Sequence, residues 1–156
     1  MASVGVVLDL LSKAAVFAFC DDPWCIIPQF LTIRPIRNYG GVWGIGKGCS
    51  LLFLVVSVVA LAAILIFRRR YRPRTSLAEF AFGLLIAGAL GNVWDRLVSY
   101  PEGYVRDFID VQLHLPRLEH WPTFNLADAF ICVGVFLLLI HGVAREEKSA
   151  EDGKPS

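Results

Sequence analysis

Net charge is almost missing from this sequence: 15 lysines and arginines stand against 14 acidic residues, leaving +1. With no global field to gather nucleic acid, no nucleic-acid partner is implied. Charge of either sign is scarce, at 19%, while 56% of the 156 residues are hydrophobic, above the roughly 45–50% of a soluble domain. That apolar excess does not alternate along short segments but falls in a few nearly uncharged runs. It argues against a soluble enzyme, a coiled coil or a disordered chain. His114, His120 and His141 show no H-E-x-x-H spacing, so neither a metal site nor a cofactor is expected. Ser12 and Lys13 are adjacent on a helix and diverge, which removes a serine–lysine dyad. No basic stretch precedes the first apolar run, and Asp9 and Lys13 interrupt it, so it reads as a retained span and not as a cleaved signal peptide. There is no internal repeat.

What is present is hydrocarbon length. A membrane helix needs about 20 mostly apolar residues to cross roughly 30 Å, and four segments qualify, at about residues 2–20, 49–67, 77–94 and 125–141. The second carries no charge. Because backbone polar groups in lipid must be satisfied within each helix, the expected fold is an all-α membrane protein of four transmembrane helices in one domain, residues 1–145. Arg68, Arg69, Arg70, Arg72 and Arg74 crowd the connector after the second span, and Arg145, Lys148 and Lys154 follow the fourth. The positive-inside tendency puts both segments, and both termini, in the cytoplasm. Residues 21–48 and 95–124 then form the outer loops, and 146–156 a solvated, disordered tail.

Ionisable groups inside a span cost at least about 2.5–3.5 kcal/mol each and need a partner or a purpose. Asp9 and Lys13 are four residues apart in the acid-first order, so a self-neutralising pair pinning the first helix is expected. At the outer end of the third span, Gly91-Asn92-Val93-Trp94-Asp95-Arg96 brings an amide, a carboxylate and a guanidinium together, with Gly83, Gly88 and Gly91 allowing close helix approach. A local Asp95–Arg96 pair is the plain account. The outer loop adds Asp107 and Asp110, and the fourth span opens on Asn125 with Asp128 three residues on. That spacing suits a capping pair, and capping alone would account for Asp128. Yet Asp95, Asp107, Asp110 and Asp128 all map to one side of the membrane at similar depth. Two carboxylates in a partly dry cleft cannot both ionise cheaply, so one holds a proton while the other acts as a base. That is the equipment for activating a water and protonating a leaving amine.

Five motifs in order then carry a resemblance over nearly the whole chain: Asp9-Leu10-Leu11-Ser12-Lys13, Asn38-Tyr39-Gly40-Gly41-Val42-Trp43-Gly44, the Gly91–Arg96 segment, Val105-Arg106-Asp107-Phe108 and Phe124-Asn125-Leu126-Ala127-Asp128. The sequence resembles the bacterial lipoprotein signal peptidases, the signal peptidase II family. The resemblance implies an inner-membrane aspartic endopeptidase that removes the signal peptide from a diacylglyceryl prolipoprotein, cutting just before the lipidated cysteine near the outer membrane face. It implies Asp107 and Asp128 as the catalytic pair, and Asn38, Gly40, Asn92, Asp95, Arg96, Asn125, Asp9 and Lys13 as substrate-binding or supporting residues. It also implies a small extracytoplasmic β-cradle from about residues 21–47, inhibition by globomycin-type lipopeptides, membrane lipid as surroundings, and a monomer. Phe30-Leu31-Thr32-Ile33-Arg34 is β-rich, and Trp24 and Trp43 suit an interface.

The sequence departs from the family pattern in three places. Ser99-Tyr100-Pro101-Glu102 lengthens the segment before Gly103; Arg106 stands where an apolar residue is usual; Cys20 and Cys25 flank Asp21-Asp22-Pro23-Trp24. A cation beside Asp107 is expected to lower its pKa. The two cysteines raise a rival, a four-span quinone-linked disulfide oxidase, but that relay needs a second outer cysteine pair and residues 95–124 hold none. A non-enzymatic scaffold or inactive homologue is the other alternative, and it predicts that Asp→Asn changes are harmless to function.

Overall fold

In a computed structural model of the chain, residues 1–40, 49–71, 73, 75–116 and 118–151 are described. Gly41 to Gly44 of the second motif, Lys47, Arg72, Arg74, Arg117 and Lys154 lie outside them. Four helices form: α1 (Ala2–Phe19), α2 (Ser50–Tyr71), α3 (Ser76–Val98) and α4 (Leu126–Glu151). The first three are long and apolar enough to cross a membrane, and α4 carries a shorter apolar stretch, Leu126–Gly142. The chain is therefore mostly helical, with three membrane-capable helices and a small antiparallel sheet among the described residues.

The helix α3 is the centre of the bundle. Thr75 caps its start, the Oγ1 accepting from the Ala78 N–H at 3.2 Å. Small residues along it let its neighbours come close, and it contributes most of the core: Ala78, Ala81, Phe82, Leu85, Ala87, Ala89 and Val93. At Gly88 a methyl group would run into the Ala127 carbonyl of α4, and at Gly91 into the Asp9 carboxylate of α1. The opposite case is α2, none of whose residues is buried; in lipid an outward-facing Leu, Val or Phe costs nothing. It lies antiparallel to α3. Arg68 meets Glu79 at 2.9 Å at one end, and the Ser50 hydroxyl donates to the Pro101 carbonyl at 2.8 Å at the other.

The sheet has the order β1 (Trp24–Ile27), β2 (Leu31–Asn38), β3 (Val105–Leu115), β4 (Leu118–His120). Pro35 falls where the β2–β3 register shifts, between Ile33 and Ile36; a residue without an N–H fits a sheet at such an irregularity. Below it, Ile36 faces Asp107, Arg37 faces Arg106 and Asn38 faces Val105. The Phe108 and Ile109 N–H groups both donate to the Phe124 carbonyl, at 3.0 and 2.8 Å. This doubled pairing switches which face of β3 is buried, so that Asp107 and Asp110 are both buried although they lie three positions apart, an odd spacing.

Two expectations change. The cradle is not confined to residues 21–47, because its longest strand, β3, comes from the second outer loop. The segment read as a disordered tail is helical as far as Glu151: Arg145-Glu146-Glu147-Lys148-Ser149-Ala150 contains no breaker and is rich in good helix formers, so α4 runs on. Residues 152–156 lie outside the described residues.

Candidate active site

The site is assembled where α3 ends, α4 begins and the sheet meets the bundle. Asn125 is the N-cap of α4. Its Oδ1 accepts from the Asp128 N–H at 3.0 Å, and Asp128 Oδ2 accepts from the Asn125 N–H at 3.1 Å, the reciprocal pair of a capping box. The capping reading of Asp128 is thus correct as far as it goes. The other oxygen, Oδ1, accepts from the Asn92 amide of α3 at 2.8 Å, so the carboxylate is held from two helices.

Asp107 reaches the same cavity from β3. Asn38 Nδ2 donates to its Oδ2 at 2.9 Å, and Asn125 Nδ2 to its Oδ1 at 2.7 Å. The Asn38 amide is itself turned by the Gly40 N–H, which donates to its Oδ1 at 3.1 Å. Only 2% of Asp107 is exposed. Burial, and then the nearby Asp128 charge, push its pKa up to about 7, against the opposing pull of Asn38, Asn125 and Lys13. A carboxyl that keeps its proton near neutrality beside a second carboxylate can donate a hydrogen bond that an ordinary aspartate cannot. Asp107 and Asp128 line one cavity of about 1030 Å³ together with Asn38, Asn92 and Arg96. Its apolar wall includes Trp121, Phe124 and Ile131.

Behind the cavity lies a buried charge network. Lys13 Nζ is 2.8 Å from Asp9 Oδ2 and 3.3 Å from Asp95 Oδ2, and it donates to Asn92 Oδ1 at 3.1 Å. The expected Asp9–Lys13 pair is therefore present, and it also braces the amide that holds Asp128. Asp9 does more: its Oδ1 accepts from the Ala127 N–H at 2.9 Å, so a residue of α1 satisfies a free donor in the first turn of α4.

Three sequence expectations are corrected. Asp95 does not pair with Arg96; its neighbour on the helix points elsewhere, as adjacent residues do. The partner of Asp95 besides Lys13 is Arg106, with Nη2 at 2.6 Å, Nε at 3.0 Å and the backbone N–H at 2.9 Å. Arg96 instead donates to the carbonyls of Gly103 at 2.8 Å and Gly40 at 3.1 Å, with its guanidinium over the Phe53 ring. Arg106, committed to Asp95, does not depress Asp107, whose pKa goes up and not down. Four aspartates do not converge on one cavity either. Asp95 belongs to the network behind it, and Asp110 holds the sheet together, between Arg34 at 3.1 Å and His120 at 3.0 Å.

Cys20 and Cys25 are free thiols, with Cys20 Sγ donating to the Asp22 carbonyl at 3.1 Å. No motif in the sequence singles out Arg37, whereas it lines the cavity; its position next to Asn38 was the available signal.

Comparison with known proteins matches residues 1–144 to the family described as signal peptidase (SPase) II. A lipoprotein signal peptidase of Clostridium acetobutylicum is 35% identical over 99% of this chain and 97% of its own. One of Geobacillus kaustophilus is 36% identical over 90% of this chain and 89% of its own. A solved structure, described as a bacterial membrane enzyme studied by the in meso method, superposes with a TM-score of 0.80 at 31% identity, covering 99% of this chain and 90% of that one.

Proposed function

The chain belongs to the signal peptidase II family, and from that premise and the site geometry we propose that Asp107 and Asp128 are its catalytic pair. It is a bacterial integral membrane enzyme, an aspartic endopeptidase that removes the signal peptide from diacylglyceryl prolipoproteins just before the lipidated cysteine. One observation carries the assignment of the pair. Asp107, raised to about 7, shares a cavity with Asp128, and each is oriented by side-chain amides.

Asp107 holds the proton and donates it as a hydrogen bond to the scissile carbonyl oxygen. Asp128 takes a proton from water, whose oxygen attacks the carbonyl carbon. The tetrahedral intermediate collapses when the cysteine nitrogen accepts that proton from Asp128, and the peptide bond breaks. Asn38, Gly40, Asn92 and Asn125 position the two carboxyls. Arg96 ties the Gly103 and Gly40 carbonyls together, and Asp9, Lys13 and Asp95 hold Asn92 and the start of α4. The apolar wall takes the acyl chains, globomycin-type lipopeptides compete for the same space, and a single copy suffices. Cleavage of a purified diacylglyceryl prolipoprotein by the reconstituted protein tests the reading; an intact substrate in a well-folded preparation overturns it.

The pair sets a pH dependence. Below about pH 7 Asp107 holds its proton; as pH rises through that value the proton is lost and a second anion forms beside the Asp128 charge. We expect kcat/KM to fall on that alkaline limb. Asn38→Leu removes a donor that favours the ionised form, so the limb moves to higher pH in that variant. Initial rates across the neutral range in one lipid mixture check both statements.

All four helices span in this reading, with the site at the outer face. The arginines Arg68, Arg69 and Arg70 close the far end of α2, and Glu79, the contact of Arg68 on α3, precedes Asp95 by 16 residues, about 24 Å of helix. In intact cells carrying single-cysteine variants without native cysteines, a membrane-impermeant maleimide should label Trp24→Cys but not Arg70→Cys. The reverse pattern inverts the topology.

A further inference from the structure

Among the described arginines on the site side of the bundle, three have oxygen acceptors. Arg34 meets Asp110, Arg106 meets Asp95, and Arg96 donates to two carbonyls. Arg37 is the exception. It is exposed and lines the cavity, and its guanidinium carbon rests 5.1 Å from the Tyr104 ring centroid. Tyr104 is in turn braced edge-on by Tyr39, centroids 5.5 Å apart. Stacking holds the cation without satisfying its N–H groups. It also sits directly across the strand pair from Arg106, a like-charge placement that is unfavourable unless something relieves it. Asp95 relieves Arg106; nothing among the described residues does the same for Arg37.

From this arrangement we infer that Arg37 is a specificity-determining residue that reads a carboxylate on the substrate, within the first three residues after the lipidated cysteine. The inference rests on Asp107 and Asp128 being the reacting centre. Arg37 adjoins Asn38, which donates to Asp107, so an extended peptide advancing about 3.3 Å per residue passes it within two or three residues of the cut. The signal peptide side is an apolar segment in the bilayer, while the mature chain leaves past the sheet that carries Arg37.

The test uses diacylglyceryl prolipoprotein substrates with Glu, Gln or Lys at the second position after the cysteine, assayed with wild type, Arg37→Gln, Arg37→Lys and Arg37→Glu. For an exposed pair the preference of Glu over Gln in kcat/KM is about two- to fivefold, shrinking with added salt. It should persist in Arg37→Lys, approach one in Arg37→Gln, and reverse in favour of Lys in Arg37→Glu. Each ratio is taken within one enzyme, so altered folding or a weakened reacting centre cancels. An Asp107→Asn enzyme that still cleaves would fail the catalytic reading separately. A Glu/Gln ratio unchanged in Arg37→Gln overturns the inference. So does a ratio near one in wild type. An Arg37 effect that is the same for all substrates and appears only when vesicles contain anionic lipid also overturns it, by assigning the cation to headgroups.

Discussion

Asp107→Asn and Asp128→Asn are each expected to lower kcat by about 10²–10⁴-fold, the range that a positioned acid or base contributes, while the protein still inserts and folds. The two substitutions fail for different reasons. At position 107 the amide keeps the shape of a carboxyl, but both oxygens of Asp107 accept from side-chain amides, Asn38 on one and Asn125 on the other. An introduced NH2 must face one of those donors, so one hydrogen bond is lost along with the exchangeable proton. At position 128 the loss falls on the water, because no group is left to take its proton. Asp128→Asn also turns an NH2 toward either the Asn125 N–H or the Asn92 amide. Asp110→Asn is the informative contrast: its carboxylate pairs with Arg34 and His120, so that change should loosen the sheet with a smaller effect on chemistry. Single-turnover cleavage at saturating substrate, with thermal unfolding of each variant as control, separates the outcomes. An Asp107→Asn enzyme that retains wild-type turnover would refute the catalytic pair.

Lys13→Met should destabilise the fold by about 3–5 kcal/mol, the cost of removing one partner from a buried ion pair. The side chains of Lys13 and Asp9 are both 0% exposed, so no solvent screens what remains. Without the ammonium, Asp9 keeps only the Ala127 N–H among the described residues, while Asp95 still has Arg106. Asn92 Oδ1 loses the shorter of its two donors and keeps the Asn125 amide at 3.3 Å, which weakens the hold on Asp128. Cleavage should therefore fall as well. The double variant Asp9→Leu/Lys13→Met removes both charges, so its stability should recover above that of Lys13→Met, although turnover stays impaired. Thermal unfolding in detergent by far-UV circular dichroism, read as a double-mutant cycle, measures the coupling. If the double variant is no more stable than Lys13→Met, the two charges do not act as a pair.

The helices were readable because lipid demands long uncharged runs, and Asp9 with Lys13 because residues four positions apart are neighbours on one helix face. Asn125 and Asp128 were readable for a similar local reason. The strand β3 was not. Its buried positions include Asp107 and Asp110 where an ordinary strand turns apolar residues inward, and the doubled pairing at Phe124 breaks the two-residue period on which strand recognition depends. Arg106 was misjudged through the same loss of long-range information. Proximity to Asp107 in sequence suggested an effect on that carboxyl, whereas its partner, Asp95, lies eleven residues earlier on a different element. Arg96 shows the converse, since a guanidinium adjacent to a carboxylate in sequence found carbonyls from two loops instead.

The reciprocal bonds between Asn125 and Asp128 also bear on descent. A capping box stabilises the start of a helix in any lineage, whether or not that lineage cuts peptides, so a gene that has lost its activity remains under pressure to keep both residues. Their presence in a distant relative reports on helix initiation as much as on chemistry. Asp107 stands outside that box: it accepts from the Asn38 and Asn125 amides, but a buried carboxyl with its pKa raised to about 7 is costly to the fold, and in the proposed reading it is turnover that retains it. Once selection for turnover ends, Asp107 should be the first of the pair to drift, and its replacement beside an intact Asn125 and Asp128 would mark a descendant that has kept the scaffold and abandoned the reaction.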